Sequence, residues 1–226
     1  MIYVMSDIHG EQKEFFMMLE QINFNINDKL YVLGDVIDRG ESGIKLLQYI
    51  MKQPNIELIL GNHEEMLLTI LENPLLKHWW HGNGGLPTDS AFKCLSGQDR
   101  HNIIQYLHDA PLLKTITVNK QKFVLCHAGI ETDNLGFIKK EQSKDFILWS
   151  REEFLNQTIN SDTKVVFGHT PTIKLNAPDR IWFSDDKKKI GIDGGLPFGY
   201  SLCCLRLDDM ESFYVKKQKV LELKAN

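Results

Sequence analysis

Short apolar runs alternate with segments of helical period through the first third of the chain. Ile2 to Met5, Leu30 to Leu33 and Ile56 to Leu60 are strand-like, and each leads through a short polar motif into a helix-like stretch: Glu11 to Ile22, Ser42 to Met51 and Glu64 to Leu71. Strand, turn and helix in three successive rounds predict a βαβαβα unit. In the parallel sheet such a unit builds, ligands gather beyond the carboxyl ends of the strands, which is where the polar motifs fall. The second half turns β-rich, with predicted strands at Thr115 to Val118, Phe123 to His127, Val165 to Phe167, Arg180 to Phe183, Ile190 to Asp193, Ser201 to Leu207 and Ser212 to Tyr214. Hairpin-length turns such as Asn119-Lys120-Gln121 and Asp208-Asp209-Met210 separate several of them. Between the halves, residues 74–111 carry Trp79-Trp80-His81-Gly82-Asn83-Gly84-Gly85 and helical patterns at Ser90 to Leu95 and Arg100 to His108, a predicted helical cap or insertion. The expected fold class is α/β, two sheets packed face to face and flanked by helices, in one domain over residues 1–226.

Composition narrows the class. A chain of 226 residues with 42% hydrophobic content buries a core of single-domain size. The formal charge of −4 gives no broad basic field of the kind that drives nucleic-acid binding, so an acidic substrate has to be held locally. Met1-Ile2-Tyr3-Val4-Met5 lacks the basic start and long apolar core of a signal peptide, and no apolar stretch approaches the roughly 18 residues of a membrane span. The expectation is a cytoplasmic monomer with neither nucleic acid nor membrane as partner. Cys94, Cys126, Cys203 and Cys204 show no CxxC spacing and are expected to be buried free thiols. The charged run Asp185 to Lys189 reads as a solvated turn.

The chemistry lies in five motifs: Asp7-Ile8-His9-Gly10, Gly34-Asp35-Val36-Ile37-Asp38-Arg39-Gly40, Gly61-Asn62-His63-Glu64, His127-Ala128-Gly129 and Gly168-His169. They offer carboxylate, amide and imidazole ligands with no cysteine interleaved, a set that suits Mn²⁺, Fe or Zn²⁺ better than a thiolate-bound structural zinc. Six ligands serve two divalent metal ions if one carboxylate is shared. Asp7, His9 and Asp35 are assigned to the first ion, and Asp35, Asn62, His127 and His169 to the second. Two ions roughly 3.5–4 Å apart clamp a phosphoryl group and stabilise the charge of an in-line displacement, so hydrolysis of a phosphate ester is the expected chemistry.

Plainer readings exist for most of these residues. An Asp and a His two apart arise in a capped turn after a strand, Asn62 could be a helix N-cap, and a lone histidine at a strand end is commonly a core residue. The Gly34 to Gly40 motif resists such a reading, because clustered charge after an apolar strand calls for a ligand and the glycines permit tight turns. His63 stands too near Asn62 to share its ion and is read as the general acid that protonates the leaving-group oxygen, with Asp38 fixing its tautomer. Arg39 suits phosphate, whose oxygens a guanidinium grips bidentately. Asn62 is read as a phosphate contact as well as a ligand. Trp149-Ser150-Arg151-Glu152-Glu153 reads equally as an ordinary helix start, and Asn83 as a turn residue or a pocket wall.

This ordered set resembles the PPP superfamily of calcineurin-like metallophosphoesterases, and within it the bacterial and phage (lambda-type) serine/threonine protein phosphatases. The resemblance runs from Ile2 to about Gly199 and includes Trp80 to Gly85, Trp149-Ser150-Arg151-Glu152 and Ile192-Asp193-Gly194-Gly195. It implies a four-layer αββα sandwich with a small helical cap, two metals that are usually Mn²⁺ or Fe/Zn, and a metal-bridging hydroxide that attacks phosphoserine or phosphothreonine of a protein or peptide. It also implies a His63–Asp38 pair and makes Arg39 and Arg151 phosphate clamps. One position departs: many protein phosphatases of this family carry arginine just before Gly-Asn-His-Glu, where this chain has Leu60. Leucine there is similar to the diadenosine tetraphosphate hydrolases, which makes a dinucleoside polyphosphate the alternative substrate. Glu64, Asp38-Arg39-Gly40 and Trp149-Ser150-Arg151 resemble the protein phosphatases instead.

Overall fold

A computed structural model describes residues 1–218. The chain runs β1 (Ile2–Met5), α1 (Gln12–Gln21), β2 (Lys29–Leu33), α2 (Gly43–Met51), β3 (Ile56–Ile59), α3 (Asn62–Glu72), α4 (Lys77–Gly82), α5 (Leu86–Lys93), α6 (Gly97–Asp109), β4 (Leu113–Val118) and β5 (Gln121–Cys126). It continues through α7 (Lys144–Trp149), α8 (Glu152–Leu155), β6 (Lys164–Phe167), β7 (Trp182–Phe183), β8 (Lys189–Gly191), β9 (Ser201–Arg206) and β10 (Ser212–Lys216). The first sheet has the order β10-β9-β1-β2-β3 and the second β4-β5-β6-β8-β7. Strands β1, β2 and β3 are parallel, as are β5, β6 and β8, and antiparallel strands close the remaining edges.

Both faces of each sheet are covered, so the strands read as continuous apolar runs while alternate residues still serve opposite faces. On β1, Tyr3 and Met5 join the helices, where Phe15, Met18, Leu47 and Ile50 pack, and Val4 turns to the other sheet. Val4, Tyr31 and Leu33 meet Phe123, Leu125 and Val166 across the sandwich. On the far face of the second sheet, Val124, Cys126, Val165 and Phe167 pack under Ile147 of α7 and Phe154 of α8. The four expected layers are present.

Several local expectations shift. Helix α5 starts at Leu86 rather than Ser90, because Pro87 occupies its first turn, where a missing N–H costs nothing. The strand expected over Arg180 to Phe183 keeps only Trp182–Phe183. Helix α7 carries too few residues to show a period in the sequence. The β4–β5 turn is two residues, Asn119 and Lys120, at φ 49° and 71°, left-handed at both positions as a type I′ hairpin requires. Lys189 corrects the reading of a solvated run: it is buried, and its ammonium donates to the carbonyls of Leu155 and Gln157 at the end of α8. Cys126, Cys203 and Cys204 are buried free thiols, whereas Cys94 is exposed. Among the described residues no helix is long and apolar enough to cross a membrane.

Candidate active site

The loops that follow β1, β2, β3, β5, β6 and β8 converge on one cavity of about 370 Å³. Asp7, His9, Asp35, Asp38, Arg39 and His169 all hold positive φ, between 48° and 68°. Left-handed backbone costs a non-glycine residue energy and persists only where surroundings impose it, so this clustering marks loops forced to aim their side chains. Gly34 (φ 78°) makes the forcing possible, since a Cβ there would overlap Gly61 Cα. Gly168 lets its loop lie against Asp7, whose Oδ2 accepts from the His169 amide at 2.9 Å.

Glu64 ties two loops together. Its buried carboxylate accepts backbone N–H groups of Asp35 (2.8 Å), Val36 (2.8 Å), Ile37 (3.2 Å) and Gly61 (3.1 Å). In the sequence Glu64 is legible only as a family marker. A Gly followed three residues later by Glu at a helix start is the local signal, because the Glu at N3 reaches back to cap the N-terminus. Gly61, not Asn62, is therefore the N-cap, and Asn62 is the first residue of α3. Glu64→Gln is expected to cost about 2–3 kcal/mol, because an amide turns its NH₂ toward N–H donors that a carboxylate satisfies. Thermal unfolding against wild type measures this, and an unchanged Tm would show that the loops hold without it.

Two groups of potential ligands share Asp35: His9, Asp35 and His63, and Asp35, His127 and His169, with each group's ligand atoms within 4.8 Å of one another. Asp35 Oδ2 faces His9 Nε2 at 3.4 Å and His63 Nε2 at 3.8 Å, while Oδ1 faces His127 Nε2 at 3.4 Å. The shared carboxylate thus gives one oxygen to each side. Asn62 Oδ1 lies 2.7 Å from His127 Nε2. Asp7 lines the same cavity but stands outside both three-residue groups, its carboxylate engaged by Ser6 and His169.

Outer hydrogen bonds fix the histidine tautomers. His9 Nδ1 donates to the Ile37 carbonyl (2.9 Å) and His127 Nδ1 to the Leu33 carbonyl (2.7 Å), leaving each Nε2 lone pair aimed inward. Burial, then neighbouring His63 and Arg39, holds His9 neutral, and burial, then His127 and Arg151, does the same for His169. Burial, the Asp7 charge and the Glu64 charge push the Asp35 carboxyl well above the usual range.

His63 is held differently. Its Nδ1 meets Asp38 Oδ2 at 2.7 Å, and the same oxygen accepts from the Trp80 indole at 2.8 Å. The Asp38 amide donates to Thr88 Oγ1 at 2.8 Å. Trp80 and Thr88 come from the cap, so residues 74–111 complete the His63–Asp38 pair, and Asn83 adds to the cavity wall. Burial pushes the Asp38 carboxyl up to about 6, against the bonds from Thr88 and Trp80. Burial and the Arg39 charge hold His63 below the ordinary histidine range. Arg39 donates to His9 Nε2 (2.9 Å) and His63 Nε2 (3.2 Å). Arg151 is both a helix start and a cavity residue: it precedes α8, while its Nη1 donates to the His169 carbonyl at 2.6 Å. Asn83 lines the cavity, and so does buried Asp193, whose signal in the sequence was a carboxylate directly after an apolar strand.

The family model of the calcineurin-like phosphoesterases matches residues 1–198. The chain belongs to this family. Calcineurin-like phosphoesterases use divalent metals, and the donors here fit them. His127 carries its proton on Nδ1, so its Nε2 and the Asn62 oxygen are two acceptors 2.7 Å apart, a contact that a shared cation or a turned amide reconciles. His169 Nδ1 lies 3.2 Å from the same Asn62 side-chain atom. Among similar proteins, a symmetrical bis(5′-nucleosyl)-tetraphosphatase of Wigglesworthia glossinidia brevipalpis is 38% identical over 132 residues, 57% of this chain and 44% of that protein. The chain thus spans less than half the length of that relative. Serine/threonine-protein phosphatase 2 of Salmonella typhimurium is 29% identical over 175 residues, 74% of this chain and 78% of the other. A solved structure described as a candidate diadenosine tetraphosphatase superposes with a TM-score of 0.73 at 16% identity, covering 97% of this chain and 94% of that one, which shows the fold.

Proposed function

We propose that this metallophosphoesterase hydrolyses dinucleoside tetraphosphates between phosphates, as a two-metal enzyme with Mn²⁺ as the favoured ion and Fe or Zn²⁺ as others the donors suit. The observation that carries the reading is Leu60. Its side chain is buried among the helices that cover the first sheet, so the arginine many protein phosphatases have at this position is missing here, as in the tetraphosphatases. The identity to symmetrical tetraphosphatases, 38% over 132 residues and 34% over 135 residues, supports the same reading. Bound divalent ions supply Lewis acidity and a nucleophile at neutral pH. Arg39 and Arg151 hold phosphate oxygens, Asp35 sets the spacing of the ligand groups, and His63 Nε2 delivers the proton to the departing phosphate oxygen while Asp38 holds Nδ1. An anionic substrate that engages Arg39 offsets the Arg39 charge, which after burial is the next cause holding His63 below the ordinary histidine range.

A second reading, a phosphoserine/phosphothreonine phosphatase, is favoured by the longer match to the Salmonella protein phosphatase. One Mn²⁺-loaded preparation assayed on diadenosine tetraphosphate and on phosphoserine, phosphothreonine and phosphotyrosine peptides separates the two. We expect kcat/KM at least about tenfold higher on the dinucleotide, the equivalent of roughly 1.4 kcal/mol of transition-state binding. The reverse ranking would make the chain a protein phosphatase.

A further inference from the structure

Each side of the ligand cluster has its own arginine and its own exposed aromatic ring. On the His9/His63 side, Arg39 donates to both imidazoles and its guanidinium lies 5.0 Å from the centre of the Phe198 ring. Phe198 is 57% exposed and ends a 3₁₀ turn, Leu196–Phe198, bracketed by Gly195 and Gly199 at φ 79° and 91°. On the His127/His169 side, Arg151 donates to the His169 carbonyl and Trp149 stands 6.1 Å from the His169 ring. Trp149 is half-exposed and extends outward into Trp79 of the cap, 6.2 Å away. Both Phe198 and Trp149 line the cavity.

Neither ring is explained by core packing or by metal ligation. An exposed aromatic ring beside an arginine in a cavity offers a face that a planar base can cover, and such stacking is tolerant of base identity and insensitive to exact hydrogen-bond geometry. We infer that Phe198 and Trp149, the latter backed by Trp79, are two stacking stations for the two nucleobases of a dinucleoside polyphosphate, with the phosphate chain lying between Arg39 and Arg151. The inference rests on the reading proposed above and goes beyond it: a substrate with a base at each end matches a site with one arginine and one aromatic at each end. A phosphoserine or phosphothreonine peptide has no planar base at each end as a fixed part of its structure.

Steady-state kinetics on diadenosine tetraphosphate, adenosine 5′-tetraphosphate and p-nitrophenyl phosphate test it with Trp149→Ala, Phe198→Ala, Trp149→Phe and Phe198→Tyr. Each alanine variant is expected to raise KM for the dinucleotide about tenfold, the scale of one lost base stack. The ratio of kcat/KM on the dinucleotide to that on p-nitrophenyl phosphate should fall by the same factor. The aromatic replacements should restore most of it, and the one-base tetraphosphate should respond to only one of the two alanine variants. Equal losses on all three substrates, or no loss on the dinucleotide, would overturn the stations while leaving the hydrolase reading intact. A wild-type protein that dephosphorylates peptides but not diadenosine tetraphosphate would overturn both.

Discussion

Asp35→Asn is expected to lower kcat by about 10³-fold or more and to release metal from both halves of the site. Asp35 is the residue common to the two ligand groups, with Oδ2 toward His9 and His63 and Oδ1 toward His127. An amide keeps the shape but removes the negative charge that two cations would share, and metal assistance is worth several kcal/mol at 1.36 kcal/mol per tenfold in rate. The substitution is not expected to unfold the protein, since burial already makes charge on this carboxyl unfavourable without a cation beside it. Metal content by elemental analysis after gel filtration, beside kcat, is the check. Two tightly held ions with near wild-type turnover would remove the shared role.

His63→Asn is expected to lower kcat by roughly 10²–10⁴, the range of general acid–base catalysis, while metal content holds. His63 belongs by distance to the His9–Asp35 group, so ligand and acid are both open to it on geometry alone. Its outer contacts favour the acid: Nδ1 is fixed by a carboxylate that also holds the Trp80 indole, a charged orienting partner of the kind that poises an imidazole for proton transfer. His9 and His127 instead use backbone carbonyls, which set a tautomer without adding charge. The discriminating measurement is leaving-group dependence. An acid's loss hurts phenyl phosphate far more than p-nitrophenyl phosphate, whereas loss of a ligand hurts both and lowers metal content. Equal losses with one ion missing would make His63 a ligand.

The candidate donors were legible because Asp, Asn and His are the oxygen and imidazole donors the chain offers where its apolar runs end. Asp7, Asp35, Asn62 and His169 line one cavity and His9 and His127 group with Asp35, all from loops that the apolar runs located. Pairing of His63 with Asp38 was legible for a chemical reason, since an imidazole beside a candidate ligand asparagine needs a partner of its own. Glu64 and Trp80 were not assigned their work. The contacts that matter, to the amides of residues 35–37 and to Asp38 Oδ2, are made across 25 or more positions of sequence and leave no local period.

By itself the sequence determined the repeated strand–motif–helix order, the hydrophobic runs that must be covered on both faces, and the inventory of donors, because periodicity and residue chemistry are local properties. Tertiary structure alone decided which oxygen of Asp35 faces which histidines, that Asp7 is engaged by Ser6 and His169, and that Leu60 turns into the core. It also decided that the cap reaches back to hold Asp38, and that Phe198 and Trp149 line one cavity. These are matters of long-range packing, in which the cost of left-handed backbone at six site residues is met by burial and hydrogen bonds supplied from distant segments.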